Sequence, residues 1–291
     1  MAVSRPASRS RGRACRPRRR ASSGSFDGRS GNNAIDASLH FLLPGRHSKV
    51  GRVVTGYGVY ARFYDATQGD RAEHATYVRS LLKKHQPRAK TVLELACGTG
   101  SILKQLQPHY EVTGVDLSKE MLAVAKKKVP GVPLFQSDMR TVDLGERFDV
   151  VLCVYDSINH LTRFRDWEAV FRRTRAHLNG GGIFLFDINT VHRLAASSGG
   201  APFVQWFGDG DLMVIEIVDA PRGAVDWQIN VFERLSDSTY RLHLEEIREV
   251  SFTAERIRGA LRKHFTRIWT YDARRSRPSP RSERLHFVCR V

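Results

Sequence analysis

The stretch Val92-Leu93-Glu94-Leu95-Ala96-Cys97-Gly98-Thr99-Gly100 joins an apolar run to a glycine-bearing turn. The run Val92 to Leu95 is typical of a central parallel strand, which is buried on both faces. Gly98 and Gly100 provide the backbone freedom and the lack of a side chain that a closely approaching ligand requires. Glu94 interrupts the run near its end, where a carboxylate can face that ligand. The pattern predicts a strand and turn that bind a nucleoside cofactor.

Strand-like and helix-like patterns alternate through the middle of the chain. Further apolar runs occupy residues 112–116, 132–136, 148–154 and 182–187, and helical periodicity lies before, between or after them. Such alternation predicts a parallel sheet with helices on both faces, whose ligands bind at the carboxyl ends of the strands. Two further strand-like runs lie near residues 265–271 and 285–291. We therefore expect an α/β, Rossmann-like fold with a seven-stranded, mostly parallel sheet.

After the fifth strand the pattern changes to long strand-like runs that are joined by short turns, which predicts an antiparallel β insertion. We expect residues 201–252 to form this insertion and to cover the substrate. Aromatic residues on strands often pack in a core. Four of them are nevertheless available to line a pocket: Trp206, Trp227, Phe232 and Tyr240.

Positive charge is concentrated at the two ends of the 291-residue chain, whose formal net charge is +17. Residues 1–50 contain 11 Lys or Arg and 2 acidic residues, and residues 256–291 contain the same numbers, so the remainder is nearly neutral. Because residues 1–50 are rich in Arg, Ser and Gly without periodicity, we expect a disordered tail. A misassigned start, a transit peptide and a nucleic-acid-binding arm all fit this tail. Residues 51–291 are expected to form the folded domain.

The cysteines give no sign of a metal site or a disulfide framework. Cys15, Cys97, Cys153 and Cys289 lack the spacing of zinc ligands, so we predict no bound metal and a reducing compartment. No apolar run is long enough to cross a membrane. We expect a cytoplasmic protein without membrane partners, or one in an organelle stroma or matrix if the tail is a transit peptide.

Acidic residues lie at the ends of the next two strands and complete a series of motifs. Asp116 lies 16 residues after Gly100, where a carboxylate can accept hydrogen bonds from ribose hydroxyls, and Asp138 can meet an adenine amine. The motifs around Glu94 to Gly100, Gly114 to Ser118, Ser137 to Met139 and Asn179 to Gly182 resemble those of class I S-adenosylmethionine-dependent methyltransferases.

This resemblance, which spans roughly residues 57–189, implies S-adenosyl-L-methionine as the cofactor. It places the glycine turn against the methionine part of the cofactor, the second-strand acid on the ribose and the third-strand acid on the adenine. The cofactor-binding residues that it implies are Tyr64, Glu94, Ala96, Cys97, Gly98, Gly100, Asp116, Leu117, Asp138, Met139 and Cys153. Cys97 and Cys153 are expected only to fill space beside the cofactor.

A nicotinamide dinucleotide would require a third glycine in the turn, but Leu103 occupies that position. Hydride transfer is therefore disfavoured. The run from Cys153 to Leu161 also lacks the signature of nucleic-acid amino methyltransferases. Together with residues 60–65 and 186–190, it resembles bacterial small-molecule N-methyltransferases that act on amino sugars or on glycine and sarcosine. The resemblance thus implies a small amine as the methyl acceptor.

Methyl transfer is an in-line displacement that mainly requires positioning and exclusion of water. His160 is our first candidate for a catalytic base, because a histidine titrates near neutral pH; it could equally cap or pack the following helix. Tyr64 is a second catalytic candidate, which could touch substrate, close the cofactor pocket or pack a helix. Asp156, Asp187 and Asn189 could line the acceptor pocket or only shape the chain.

Two other functions are compatible with the sequence. The basic termini could dock RNA, which would make the protein an RNA methyltransferase with strongly salt-dependent binding. The chain could also bind the cofactor without catalysis, as a partner protein. A small-molecule acceptor is favoured over nucleic acid, and the oligomeric state is left open.

Overall fold

The computed structural model describes residues 54–55, 57–69 and 71–291, with the backbone alone for 54–55. The predicted tail, including Cys15, lies outside the described residues. The strands are β1 (Val54–Thr55), β2 (Thr91–Leu95), β3 (Glu111–Asp116), β4 (Leu134–Gln136), β5 (Phe148–Cys153), β6 (Leu178–Asn189), β7 (Phe203–Phe207), β8 (Asp211–Ala220), β9 (Ala224–Ser236), β10 (Thr239–Glu249), β11 (Arg267–Tyr271) and β12 (Arg284–Arg290). The α-helices are α1 (Tyr64–Gln68), α2 (Ala72–His85), α3 (Ser101–Leu106), α4 (Lys119–Lys128), α5 (Phe164–Ala176), α6 (Val191–Ser197) and α7 (Ala254–Leu261).

The main sheet has seven strands in the order β11-β12-β6-β5-β2-β3-β4. Strands β4, β3, β2, β5 and β6 pair in parallel, whereas β12 runs antiparallel to β6 and to β11. The predicted mostly parallel α/β sheet is confirmed.

Strand β2 lies inside this sheet, between β5 and β3, and it has apolar side chains on both of its faces. Leu93 and Leu95 pack with one buried cluster that includes Trp167 of α5, while Val92 packs with another that includes Leu82 of α2. Successive side chains of a strand point to opposite faces, so the alternation assigns one helical layer to each face. The apolar run that opens the decisive stretch is thereby buried.

Strands β7 to β10 form the predicted antiparallel insertion, as part of a second sheet with the order β1-β10-β9-β8-β7. This insertion begins with β7, a short strand that the sequence pattern did not predict. Its side chains are largely exposed, with Phe203 56% and Trp206 64% accessible, so it lacks the apolar alternation of a half-buried strand. Helix α6 was also missed, and β6 extends beyond the predicted residues 182–187 at both ends.

Among the residues that the structure describes, no helix is both long enough and apolar enough to cross a membrane. The described cysteines, Cys97, Cys153 and Cys289, are all free and buried.

Gly114 of β3 is expected to tolerate no side chain, because a Cβ there would lie 2.7 Å from side-chain carbons of both Leu103 and Leu134. Gly114→Ala should therefore reduce the free energy of unfolding by about 1–3 kcal/mol, the usual cost of overpacking a core. Urea denaturation followed by circular dichroism will measure this loss. Gly180→Ala is the matched control, since a Cβ at Gly180 meets no atom within 4 Å; an equal loss in both variants would contradict the packing argument.

Candidate functional site

Two cavities lie near the carboxyl ends of the parallel strands, where the fold predicts ligand binding. The first, which we call the glycine-turn cavity, has a volume of about 870 Å³ and is lined by residues of the turn and of the loops after β3, β4 and β5. The second, the insertion cavity, has a volume of about 700 Å³ and is partly lined by the antiparallel sheet. Both volumes are in the range of small-molecule sites.

The turn after β2 adopts a left-handed backbone conformation at several positions. Ala96, Gly98 and Gly100 have φ values of 53°, 55° and 75°. A Cβ at Gly98 would meet no atom within 4 Å, and Ala96 and Gly98 both line the glycine-turn cavity. Gly100 instead packs against α4, with Ala125 and Val129 only 3.3 Å from its would-be Cβ. The two glycines thus have different roles. Gly98 leaves its backbone accessible to a ligand, whereas Gly100 allows α4 to pack closely against the turn.

Asp116 fixes the shape of this turn from the end of β3. Its Oδ2 accepts a hydrogen bond from the Gly98 N–H (2.7 Å), and its Oδ1 accepts one from the Ser118 N–H (2.8 Å). Burial raises the pKa of Asp116, although these backbone hydrogen bonds oppose the shift. Asp116 and Leu117 line the glycine-turn cavity, so the remaining acceptor capacity of the carboxyl group is available to a bound ligand.

Asp138 and Met139 line the same cavity after β4. Asp138 accepts hydrogen bonds from the guanidinium of Arg140, at 2.9 Å from Nε to Oδ2, and this pairing lowers the pKa of Asp138. Met139 is supported from behind by Cys153, whose Sγ lies 3.9 Å from the methionine sulfur. A planar ring that entered this part of the cavity would meet one carboxylate and one thioether.

Four of the predicted cofactor residues do not line the glycine-turn cavity: Glu94, Cys97, Gly100 and Cys153. Glu94 is only 3% exposed, its Oε2 has no hydrogen-bond partner, and burial raises its pKa well above the usual range. Burial also raises the pKa of both thiols, which makes them poor nucleophiles. Direct contacts between these four residues and the cofactor stay predictions, since none of the four lines the cavity.

His160 lies in a 3₁₀ turn after β5 and lines the glycine-turn cavity. Its Nε2 is 3.2 Å from the hydroxyl of Tyr57, and its Nδ1 is buried without a partner. Burial lowers the pKa of His160, so the imidazole is neutral at pH 7. The ring is therefore held in place and has a nitrogen free to bond a ligand.

Tyr64 lines both cavities, as do Tyr57, Tyr155 and Ile247. Tyr57 and Tyr64 meet edge to face with their ring centroids 5.8 Å apart. Burial raises the pKa of Tyr64 to about 12, which keeps its phenol protonated. The sequence reasoning missed Tyr57, because nothing in its local pattern indicates that it reaches His160, which is 103 residues away.

Residues 57–64, here called the strap, are attached to the insertion by Glu245 of β10. The Glu245 carboxylate accepts hydrogen bonds from the backbone N–H groups of Gly58 (2.8 Å) and Tyr60 (2.9 Å). One buried side chain thereby positions the segment that contains the tyrosines shared by both cavities.

The attachment by Glu245 predicts a pH-dependent stability. Burial raises the pKa of Glu245 from 4.5 to about 7. Since the folded pKa exceeds the unfolded one, stability should fall as the pH rises from about 4.5 to about 7, by up to about 3 kcal/mol. Urea titrations at both ends of this window should show a smaller decrease for Glu245→Gln than for the wild type. The exposed Glu146→Gln should behave like the wild type; a decrease in Glu245→Gln as large as in the wild type would contradict the assignment.

Of the four aromatic residues that the sequence offered for a pocket, only Trp227 lines the insertion cavity, together with Ile215, Ile229 and Ile247. Trp206 and Tyr240 are 64% and 41% exposed. The antiparallel sheet therefore contributes an apolar wall to this cavity. Whether the insertion covers a substrate stays a prediction.

The insertion cavity also has a charged wall. Arg284 donates hydrogen bonds to Asp187 and to Asp156 (2.7 Å), while the amide of Asn189 donates to Asp156 (2.8 Å) and to Glu249 (3.0 Å). Asp156, Asn189, Glu249 and Arg284 all line the cavity, and Asp187 is fully buried behind them. The residues at the ends of β5 and β6 thus contribute to this wall as well as to the path of the chain.

Comparisons with known proteins agree with this geometry. Residues 92–182 match the model of a methyltransferase domain. The chain is 36% identical over 135 residues to the dTDP-3-amino-3,6-dideoxy-alpha-D-glucopyranose N,N-dimethyltransferase of Streptomyces fradiae, which covers 45% of this chain and 53% of that protein. The chain spans about half the length of this and two other curated sugar N,N-dimethyltransferases that it matches.

Solved structures cover more of the chain. A sugar N-methyltransferase from Streptoalloteichus sp. is 26% identical and superposes with a TM-score of 0.67 over 85% of this chain and 98% of its own. An S-adenosylmethionine-dependent methyltransferase from Clostridium acetobutylicum, 24% identical, superposes with a TM-score of 0.70 over 80% of this chain and 96% of its own. The predicted resemblance to class I methyltransferases is confirmed.

Proposed function

We propose that this chain, which contains a methyltransferase domain within a class I methyltransferase fold, transfers a methyl group from S-adenosylmethionine to an amine of a small molecule. The observation that carries the proposal is the shared wall between the two cavities. Tyr57, Tyr64, Tyr155 and Ile247 line both of them. A cofactor in one cavity and an acceptor in the other would therefore meet at these side chains.

The glycine-turn cavity fits the cofactor. Gly98 exposes its backbone to the cavity, Asp116 has acceptor capacity for ribose hydroxyls, and Asp138 and Met139 offer polar and apolar contacts to a base. S-adenosylmethionine supplies an electrophilic methyl carbon on a positively charged sulfonium. The buried carboxyl group of Asp116 lies on the cavity wall, where a negative charge favours a cationic ligand.

The chain's own residues position the nucleophile. An amine must be neutral to attack in line, so it loses its ammonium proton before the C–N bond forms and the S–C bond breaks. The neutral imidazole of His160 has a buried, unpartnered Nδ1 that can accept a proton or a hydrogen bond from this amine. Tyr57, at 3.2 Å from Nε2, holds the ring in orientation.

An amine acceptor is supported by the charged wall of the insertion cavity and by the relatives. Carboxyl groups of Asp156 and Glu249 line the cavity and can accept hydrogen bonds from an amine. Amino-sugar N,N-dimethyltransferases and a sugar N-methyltransferase are among the similar proteins. Amino sugars are therefore the first compounds to test.

A labelled-methyl transfer screen tests the proposal. Purified full-length protein is incubated with S-adenosylmethionine bearing a labelled methyl group and with amino sugars, amino acids, small phenols or RNA. We expect label in amine products alone, and less of it with Asp116→Asn when the cofactor concentration is limiting. Label in phenol or RNA without any amine product would overturn the acceptor class, and cofactor binding without transfer to any acceptor would favour a non-catalytic role.

His160→Ala should reduce kcat for the acceptor found in this screen by about a hundredfold, the lower range for loss of a general base. S-adenosylmethionine affinity, measured by calorimetry, should change much less than kcat. Tyr57→Phe removes the hydroxyl next to Nε2 but retains the aromatic ring, so it should give a smaller decrease. If His160→Ala retains full kcat, the histidine is a packing residue.

A further inference from the structure

Two histidines and an aspartate meet beside the insertion cavity, although they come from three distant parts of the chain. His74 lies on α2, Asp187 on β6 and His286 on β12. One potential ligand atom from each residue lies within 4.8 Å of the other two. His74 and His286 line the cavity, and neither has a role in the methyl transfer proposed above.

Three of the four ring nitrogens of this histidine pair are buried without hydrogen-bond partners. His286 is 1% exposed, and neither its Nδ1 nor its Nε2 has a hydrogen-bond partner; the buried Nε2 of His74 has none either. A buried polar atom without a partner costs about 1–3 kcal/mol. Three such atoms in one cluster indicate a bound ligand that supplies their missing partners.

The two imidazoles are fixed in place and uncharged. His74 stacks on Tyr155 with ring centroids 4.2 Å apart, and His286 packs against Tyr77 at 4.8 Å. Burial lowers the pKa of His74 and lowers that of His286 to about 4. Both rings are therefore neutral at pH 7, which is the form that binds metals.

Asp187 supplies the negative charge. Burial alone would raise its pKa, but the neighbouring Arg284 lowers it below the usual range, so the side chain is ionised. Arg284 and the Asp156 N–H bond Oδ2, whereas Oδ1 accepts from the Tyr155 N–H (2.7 Å) and lies 4.0 Å from Nε2 of His74. Oδ1, the oxygen of Asp187 nearest to His74, is thus not bonded to the guanidinium of Arg284.

We propose that His74, Asp187 and His286 bind a divalent transition metal ion, with Zn²⁺ as the best match. Two neutral imidazoles and one carboxylate are donors that suit Zn²⁺, Co²⁺ and related ions. Bonds of about 2.0–2.2 Å require the ligand atoms to close in by roughly 1 Å around the ion. Because the histidines line the insertion cavity, the open coordination position would face it and would take an oxygen donor of a molecule there.

Metal binding to the full-length protein without an affinity tag tests this inference. After treatment with a chelator, the protein is titrated with Co²⁺ under visible spectroscopy and with Zn²⁺ by calorimetry. We expect one tight equivalent in the wild type, and Zn²⁺ affinity at least about tenfold lower in His74→Ala and in His286→Ala, because each removes a ligand. The exposed His192→Ala is the matched control and should bind as the wild type does.

The experiment does not use methyl transfer, so its failure would leave the proposed function standing. Absence of a tight equivalent in the wild type would overturn the metal site. Equal Zn²⁺ affinity in His74→Ala, His286→Ala and His192→Ala would also overturn it, since the ion would then be bound elsewhere. If an alanine variant does not fold, thermal denaturation with and without Zn²⁺ is used instead. Zn²⁺ should raise the Tm of the wild type and should raise the Tm of His74→Gln much less.

Discussion

Asp116→Asn is expected to weaken S-adenosylmethionine binding by about tenfold to a hundredfold. The carboxylate accepts hydrogen bonds from the backbone N–H groups of Gly98 and Ser118, at 2.7 and 2.8 Å. An asparagine of the same shape has one accepting atom, so its amide group must face one of these N–H donors. The ribose hydroxyls of the proposed cofactor would also lose a charged acceptor, and a hydrogen bond to a charged group is worth about 1.5–3 kcal/mol, which corresponds to this range of affinity. Isothermal titration calorimetry measures the change.

Asp143→Asn is the matched control, because Asp143 has an exposed side chain (71%) that pairs with Arg173 outside the glycine-turn cavity. Its cofactor affinity should equal that of the wild type. Unchanged affinity in Asp116→Asn would show that neither the ribose contact nor the shape of the turn depends on the charge. A loss in both variants would indicate a general effect of net charge on a cationic ligand.

The sequence predicted those parts of the site whose positions depend only on neighbouring residues in the chain. Asp116 is the last residue of a strand, and Gly98 and Asp138 follow strands closely, so an apolar run is enough to place them at the carboxyl edge of the sheet. The parallel pairing of the main strands follows from the same alternation of strands and helices, and the burial of β2 follows from its apolar run. Gly100 shows the limit of this reasoning, since its packing on α4 cannot be distinguished in sequence from contact with a ligand.

The insertion cavity could not be predicted in the same way, because its wall is assembled from distant segments. Tyr57 belongs to the strap, which is held by Glu245 on a strand of the second sheet and by a hydrogen bond from the Ser118 hydroxyl. Trp227 and Trp206 both lie on strands of the insertion, yet only Trp227 faces the cavity. Which side chains of a strand face the cavity depends on strand register and on which face of the second sheet is covered. A short stretch of sequence does not determine either one here.

Arg284→Met should destabilise the protein by about 3–5 kcal/mol at pH 7, the largest stability change that we expect here. Arg284 pairs with the fully buried Asp187 and also bonds Asp156 (2.7 Å) and Asn189 (3.2 Å). Methionine retains apolar length but leaves a buried carboxylate without its counter-ion. Chemical denaturation measures the loss of unfolding free energy.

The sign of the pH dependence distinguishes this explanation from simple loss of packing. Arg284 lowers the pKa of Asp187 in the wild type, and without Arg284 burial should raise that pKa. The penalty in Arg284→Met should therefore shrink as the pH falls and Asp187 becomes protonated. Arg274→Met is the control, because Arg274 is 80% exposed and its pair with Glu283 is worth little. A loss in Arg284→Met that does not change with pH would show that packing, and not the buried charge, accounts for the role of this arginine.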